Sequence, residues 1–309
     1  MVRKNPLVSI AVLSYNNLQY LNECLDSIFQ QTYDNIELII SNDGADNFNE
    51  AEVKCYAETN KSNNVSLIIN KNKRNFGTVK HCNVILDLAN GDYIMFIACD
   101  DTFNNNSVVQ DMVNGFNNAP PDTMSIVGQT EMRNEDLSIC MELYVKKTTQ
   151  KLINELPSQE LYAKHLAYES IIPPASRIFK KDVFEKYGRF DESYFLIEDW
   201  ISSMSHAKQG MKSYYQDITC VNHRDGGVSH SVSLKESYAH RMYVLDLIKG
   251  FENVLLDESI TSDILDIVSE KRNWWLLHFC STWDFEYSVE LQGSIALGEY
   301  LACHWKALS

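Results

Sequence analysis

The chain has 309 residues, 45% of them hydrophobic, with a formal net charge of −15 at pH 7. That is enough apolar material for one large α/β domain with a helical appendage, and no disulfide-stapled core is needed. The acidity argues against a nucleic-acid partner, because phosphate backbones are bound by basic faces. No apolar run approaches the roughly 20 residues that cross a bilayer. The N-terminus MVRKNPLVSIAVLSYNN lacks a small-residue cleavage site. The eight cysteines have neither CxxC nor finger spacing, so neither a zinc site nor a disulfide framework is expected. A soluble cytoplasmic protein is expected, with the inner face of the membrane as the alternative location.

In chain order, LVSIAVL (7–13) reads as a first strand, and SYNN follows as a turn in which Asn16 or Asn17 is placed to cap a helix. Leu18, Leu21, Leu25, Ile28 and Phe29 then recur at helical spacing. Ile36 to Ile40 is a second strand that ends in SNDGAD. A helix around 50–58, a strand at 65–69 and a helix marked by Val79, Cys82, Leu86 and Ala89 lead to a buried strand, 93–98. Strands alternating with helices predict a mostly parallel sheet flanked by helices, which binds ligands beyond the carboxyl ends of its strands. Ser14 with Tyr15, Asp43, and Asp100 with Asp101 fall at those ends. Neither GxGxxG nor GxxxxGK[ST] occurs, which removes the usual glycine-rich phosphate cradles.

Beyond Asp101 the sequence predicts a helix from Ser107 to Phe116, strand-like pieces at 125–129 and 138–145, and a helix near 159–168. The loop VNHRDGGVSHS (221–231) follows, and 232–309 reads as helical, with tryptophans at 274, 275, 283 and 305. Those tryptophans are most simply helix-packing residues. They also make this region the expected surface for a homo-oligomer.

Two adjacent carboxylates ending a buried strand repel each other and lose hydration, so a cation is expected to meet Asp100 and Asp101. The plainer alternative is a solvated turn in which Asp101 caps the next helix. Within FLIEDW, apolar neighbours surround Glu198 and Asp199, and desolvation there would raise a carboxylate pKa toward that of a general base. The alternative is an acidic first turn of a helix.

Taken in order, VSIAVLSYNN, LIISNDGAD, NFGTVKHCNVILDLANGDYIMFIACDD and GRFDE…IEDW resemble the family 2 glycosyltransferases of GT-A fold. The resemblance covers about residues 6–230. It implies a glycosyltransferase domain over 1–230, with a nucleotide-binding half (1–103) and an acceptor-binding half (104–230), followed by a helical region, 231–309. It also implies inverting transfer from a nucleoside-diphosphate sugar, with UDP expected, to a hydroxyl of a glycan, a lipid-linked oligosaccharide or a glycoprotein.

By the same resemblance, Ser14, Tyr15 and Asn16 match the first nucleotide-binding loop, and Asp43 matches the acidic contact to the nucleobase. Cys99, Asp100 and Asp101 fall in the DxD region, whose carboxylates hold Mn²⁺ or Mg²⁺ on the diphosphate. Asp199 matches the general base, with Glu198 beside it. Ala98 stands where the common D-x-D-D pattern has its first Asp. His223 as a metal or phosphate contact and Arg224 as a phosphate contact match more loosely, and a plain surface loop is the alternative. Arg74 is the candidate cation for steering the donor, against a merely solvated charge. Two other readings remain: a nucleotide-sugar-binding scaffold that has lost catalysis, for which Ala98 is the support, and a sugar nucleotidyltransferase, whose glycine-rich basic N-terminal loop is missing from SYNNLQYL.

Overall fold

The computed structural model describes residues 5–62, 64–225 and 238–282. Among the described residues nine strands, β1 (Val8–Ser14), β2 (Ile36–Asn42), β3 (Val65–Lys71), β4 (Tyr93–Ala98), β5 (Thr102–Phe103), β6 (Thr123–Arg133), β7 (Cys140–Leu143), β8 (Arg177–Lys180) and β9 (Lys212–Arg224), form one sheet in the order β3-β2-β1-β4-β8-β6-β9-β5, with β7 paired to β6. The first four strands pair in parallel, with Val12 opposite both Ile40 and Ile97. The runs that read as near-continuous apolar segments are buried on both faces, as central parallel strands require. The helices α1 (Leu21–Phe29), α2 (Glu50–Asn60) and α3 (Thr78–Leu88) connect them.

One local expectation fails at α1. The helix starts at Leu21 with Tyr20 at its cap position and no side-chain cap bond. The Asn16 carbonyl instead accepts from the Leu18 amide and the Asn47 side chain. The asparagines therefore shape the loop beyond β1 rather than the helix start.

The second half is built differently. After β5 and α4 (Val108–Asn118), the strands β6, β7, β8 and β9 complete the sheet. Strand β8 inserts antiparallel between β4 and β6 and joins the two halves. The expected helix near 159–168 is a short helix (Ser158–Leu161) running into a π-helical turn (Tyr162–Leu166), after a separate helix at Lys147–Glu155. Numbered in order, these are α5 (Lys147–Glu155), α6 (Ser158–Leu161), α7 (Val183–Lys186), α8 (Glu198–Lys208), α9 (Tyr238–Leu255) and α10 (Ser262–Thr282).

His223 and Arg224 do not lie in a loop. They end β9, whose pairing with β6 slips register three times. Each slip disturbs the period-2 alternation by which a strand is recognised.

Leu247, Phe251 and Val254 of α9 and Ile264 and Val268 of α10 are buried in the same apolar cluster as Trp200 and Ile201 of α8. Trp275 packs edge-on to Tyr243, while Trp274 is largely exposed. Trp283 and Trp305 lie outside the described residues. No helix among the described residues is long and apolar enough to cross a membrane. Cys24, Cys82, Cys99 and Cys220 are buried thiols, and Cys55 and Cys140 are exposed and unpaired.

Candidate active site

The end of β2 is held by backbone amides. One oxygen of Asp43 accepts from the Asn72 side chain (2.8 Å) and the Phe76 amide (3.0 Å), and the other from the amides of Phe76 (3.1 Å) and Gly77 (2.9 Å). The side chain is buried, and its acceptors are spent on the loop that opens α3. Asn42 completes the frame by donating to the Ser14 hydroxyl (3.1 Å) and the Tyr15 carbonyl (3.0 Å) while accepting from the Ala45 amide (2.7 Å). Ser14 is buried, and Tyr15 and Asn16 are exposed beside it. Arg74 is exposed, with its guanidinium over the Phe76 ring. Below this layer, burial lowers His81 to about 4, so a neutral imidazole meets the Ser41 hydroxyl at 2.6 Å.

The end of β4 divides its two carboxylates between different tasks. Asp101 is buried, and its oxygens are taken by His223 Nδ1 (3.0 Å) and the Arg224 amide (3.0 Å). Burial opposes the His223 cation, but the hydrogen bond and charge of Asp101, with Asp100 and Asp225, prevail and raise its pKa. The Asp100 side chain has no hydrogen-bonding side-chain partner among the described residues. Burial first, and then the charge of Asp101, push its pKa up despite help from its own amide. Cys99 is buried with its thiol on the Asn17 carbonyl, and burial beside both carboxylates pushes it to about 12. A thiolate there is excluded at neutral pH.

Arg224 is anchored rather than available. Its Nε donates to the Asp100 carbonyl (2.8 Å), and its terminal nitrogens donate to the Glu135 carbonyl and Glu23 (2.7 Å). The planar group lies 3.8 Å from the centroid of the Tyr20 ring. Such a buried guanidinium, bonded through each of its three nitrogens, fixes the backbone behind Asp100.

The third group of carboxylates opens α8. Burial raises Glu198 to about 8, helped by the charge of Asp199 and, more weakly, Asp246. Burial also raises Asp199, but its own amide and that of Trp200, the Ser170 hydroxyl (3.5 Å) and the charge of Arg177 oppose the rise. Burial thus opposes two negative charges on this pair and pushes Glu198 toward its protonated form at neutral pH. The Cys82 thiol of α3 feels the charges of Glu198, Asp199 and Asp43 together, which puts the α8 pair near the end of β2.

Two further residues position this pair, and the first lies outside the motifs. Asp246 of α9 accepts from three successive amides, Phe195 (2.9 Å), Leu196 (2.6 Å) and Ile197 (3.2 Å), immediately before Glu198. A carboxylate at a helix N-terminus is favourable, and this one comes from an element some fifty residues later. The only sequence signal was an acid on the apolar face of a helix. Gly77 is the other. With φ +83°, a Cβ there would stand 2.4 Å from the Phe195 carbonyl, which in turn accepts from the Val79 amide. The loop fixed by Asp43 and the segment leading into Glu198 and Asp199 are thus in direct contact.

Among the described residues no group of three or more His, Cys, Asp or Glu gathers to hold a metal. Mg²⁺ and Mn²⁺ do not need one, since substrate phosphates and water commonly supply most of their ligands. Asp100, desolvated and only partly offset by the charges of His223 and Arg224, fits such an ion, and Asp101 stands behind it.

A mixed α/β sheet thus gathers desolvated carboxylates at one rim. A family model described as Glycosyl transferase family 2 matches residues 9–188, more than half of the chain, and the chain belongs to that family. It is 35% identical over 102 residues to the glycosyltransferase GlyG of Streptococcus pneumoniae, covering 33% of each chain. It is 26% identical over 196 residues to an uncharacterized glycosyltransferase of Rickettsia typhi, covering 63% of this chain and 57% of that one. These matches span between a third and somewhat over half of the relatives' lengths. Among solved structures, a mannosyltransferase from Pyrobaculum calidifontis in complex with GDP-Man and Mn²⁺ superposes with a TM-score of 0.59 at 16% identity, over 99% of this chain and 81% of that one. Staphylococcus aureus TarS 1-349 in complex with UDP-GlcNAc gives 0.58 at 16% identity, over 94% and 77%. The fold is the GT-A fold of these glycosyltransferases.

Proposed function

We propose that the protein is an inverting glycosyltransferase that moves a sugar from a nucleoside-diphosphate donor, UDP-linked by preference, to a hydroxyl of a glycan, lipid-linked oligosaccharide or glycoprotein. The observation that carries this reading is the separation of roles among the carboxylates. Asp100 has no side-chain hydrogen-bond partner among the described residues at the end of β4, and burial raises both Glu198 and Asp199 at the start of α8. Neighbours of the same fold bind UDP-GlcNAc in one case and GDP-Man with Mn²⁺ in the other, which supports a sugar nucleotide and a divalent cation.

Asp100, backed by Asp101 and His223, would hold the cation. When bound, it would neutralise charge growing on the diphosphate. The loop after β1, with Tyr15 and Asn16 exposed, faces the nucleoside, and Asp43 orders the opposite wall. Exposed Arg74 adds positive charge near that wall in a strongly acidic chain. Asp199 accepts the acceptor's hydroxyl proton as that oxygen bonds to the anomeric carbon. The bond from that carbon to the β-phosphate oxygen breaks, and the nucleoside diphosphate leaves with the electron pair. Glu198 keeps its own proton, so the pair never carries two charges.

Calorimetric titration of UDP and of GDP, with Mn²⁺ and then with chelator, tests the donor site. Metal-dependent binding of one nucleotide, lost in Asp100→Ala, is expected. Asp199→Asn should keep that binding while donor turnover falls about 10³-fold. If wild-type protein binds neither nucleotide with any metal, the transferase reading falls, and a scaffold with a disabled site takes its place.

A further inference from the structure

A second polar centre lies outside the carboxylate rim, in a cavity of about 300 Å³ between α5, α6, α8 and strands β6, β8 and β9. Three charged residues line it, Arg177 of β8, only 3% exposed, and the exposed Glu155 and Lys212. The guanidinium donates to three serine hydroxyls, with Nε to Ser125 (3.1 Å), one terminal nitrogen to Ser203 (2.9 Å) and the other to Ser213 (3.1 Å). It lies 4.4 Å from the Phe179 ring centroid. No carboxylate forms an ion pair with it among the described residues.

A guanidinium has five N–H donors, and the three serines take one from each nitrogen, which leaves two. Ser125 and Ser213 are hydrogen-bonded to each other (2.9 Å), an interaction that uses one of their two hydroxyl protons. The other proton, and that of Ser203, have no acceptor among the described residues. The cluster therefore consists of buried and half-buried donors around one positive charge, on which the charge of Asp199 acts without forming an ion pair. Groups of this kind are costly to bury unless paired.

We propose that this cavity is a binding site for a small phosphorylated ligand, with the phosphate on Arg177, Ser203 and Ser213 and the organic part against the apolar wall of Ile153, Leu161, Leu166 and Met211. A tetrahedral oxyanion supplies several acceptors to converging donors, and a planar guanidinium pairs two of its oxygens at once. The volume exceeds what a phosphate alone fills, so a phosphomonoester of a compact apolar group suits it better than the free ion. Ser203 lies one helical turn beyond Asp199 on α8, and the Arg177 charge acts on Asp199. Occupancy would therefore also be felt at the proposed base.

The site is tested without substrate, by thermal unfolding of the metal-free protein in inorganic phosphate against chloride at equal ionic strength. Phosphate at a hundred times its dissociation constant is expected to raise the melting temperature by about 5 °C. Asp100→Ala, which alters only the rim, should respond like wild type. Ser203→Asp supplies an internal counter-ion to Arg177 and should melt higher than wild type in chloride, with no further gain from phosphate. An equal phosphate response in wild type and Ser203→Asp would mean that exclusion of the salt from the surface explains the shift, and would overturn the site. So would the absence of any response in wild type. Glycerol 3-phosphate and glycerol then distinguish a phosphomonoester from its organic part: the first should match or exceed phosphate, and the second should do nothing.

Discussion

Asp43 and Asp100 stand beyond strands β2 and β4, on either side of β1 in one parallel sheet, and in sequence each is an acid at the end of an apolar run. At the β2 end, four hydrogen bonds from Asn72, Phe76 and Gly77 saturate the carboxylate. At the β4 end, Asp101 takes up the available β9 partners, and Asp100 is left desolvated. One rim therefore contains an acid that organises backbone and an acid ready for a ligand. Their environments, more than their positions, assign these roles. The pair at α8 repeats the division, because Asp246 binds the amides while Glu198 and Asp199 face unfavourable burial.

The sharpest way to break this comparison is Asp43→Ala. If Asp43 organises the loop, the amides of Phe76 and Gly77 lose their acceptor, and stability should fall by about 3 kcal/mol in denaturant unfolding. An unchanged midpoint, with only nucleotide affinity reduced, would make Asp43 a ligand contact instead. A smaller loss, about 1–2 kcal/mol, is expected for Asp246→Asn, which keeps one acceptor but turns an amine toward three amide donors. Turnover should fall more than nucleotide affinity, since the residues disturbed carry the base and not the donor site.

The mildest effect concerns pH. Glu198 is raised from the usual glutamate range to about 8, so between about 4.5 and 8 the folded state binds more protons there than the unfolded state. Stability should therefore decline as pH rises through that window. Glu198→Gln removes this contribution, and its melting temperature should vary less over the same range. An identical slope in the variant would show that Glu198 titrates normally.

The parallel half of the fold was legible because β1, β2 and β4 are apolar runs ending in polar residues, and α1 and α3 keep a 3.6-residue period. Strand β9 was not, because its register slips against β6 break the alternation, and Arg224, read as a loop residue, proves to be a buried anchor. The acids of the rim were visible as residue types at strand ends. Which of them has spare acceptors was not visible, since that depends on amides from the 72–77 loop and on β9. Asp246 carried no motif: its role arises only because α9 crosses the start of α8. Arg177 was hidden for a related reason, as serines from β6, α8 and β9 gather around it only in the folded chain.

The contact from Asp246 to residues 195–197 bears on how this chain can be cut and recombined. The stretch that marks the family ends at residue 188, ahead of both the proposed base and the acid that holds its helix. A shortened chain or a chimera joined at that boundary would inherit the recognisable signature and take its working edge from elsewhere. The smallest piece that can be exchanged as a unit therefore extends through α9, so that the carboxylate travels with the amides it serves.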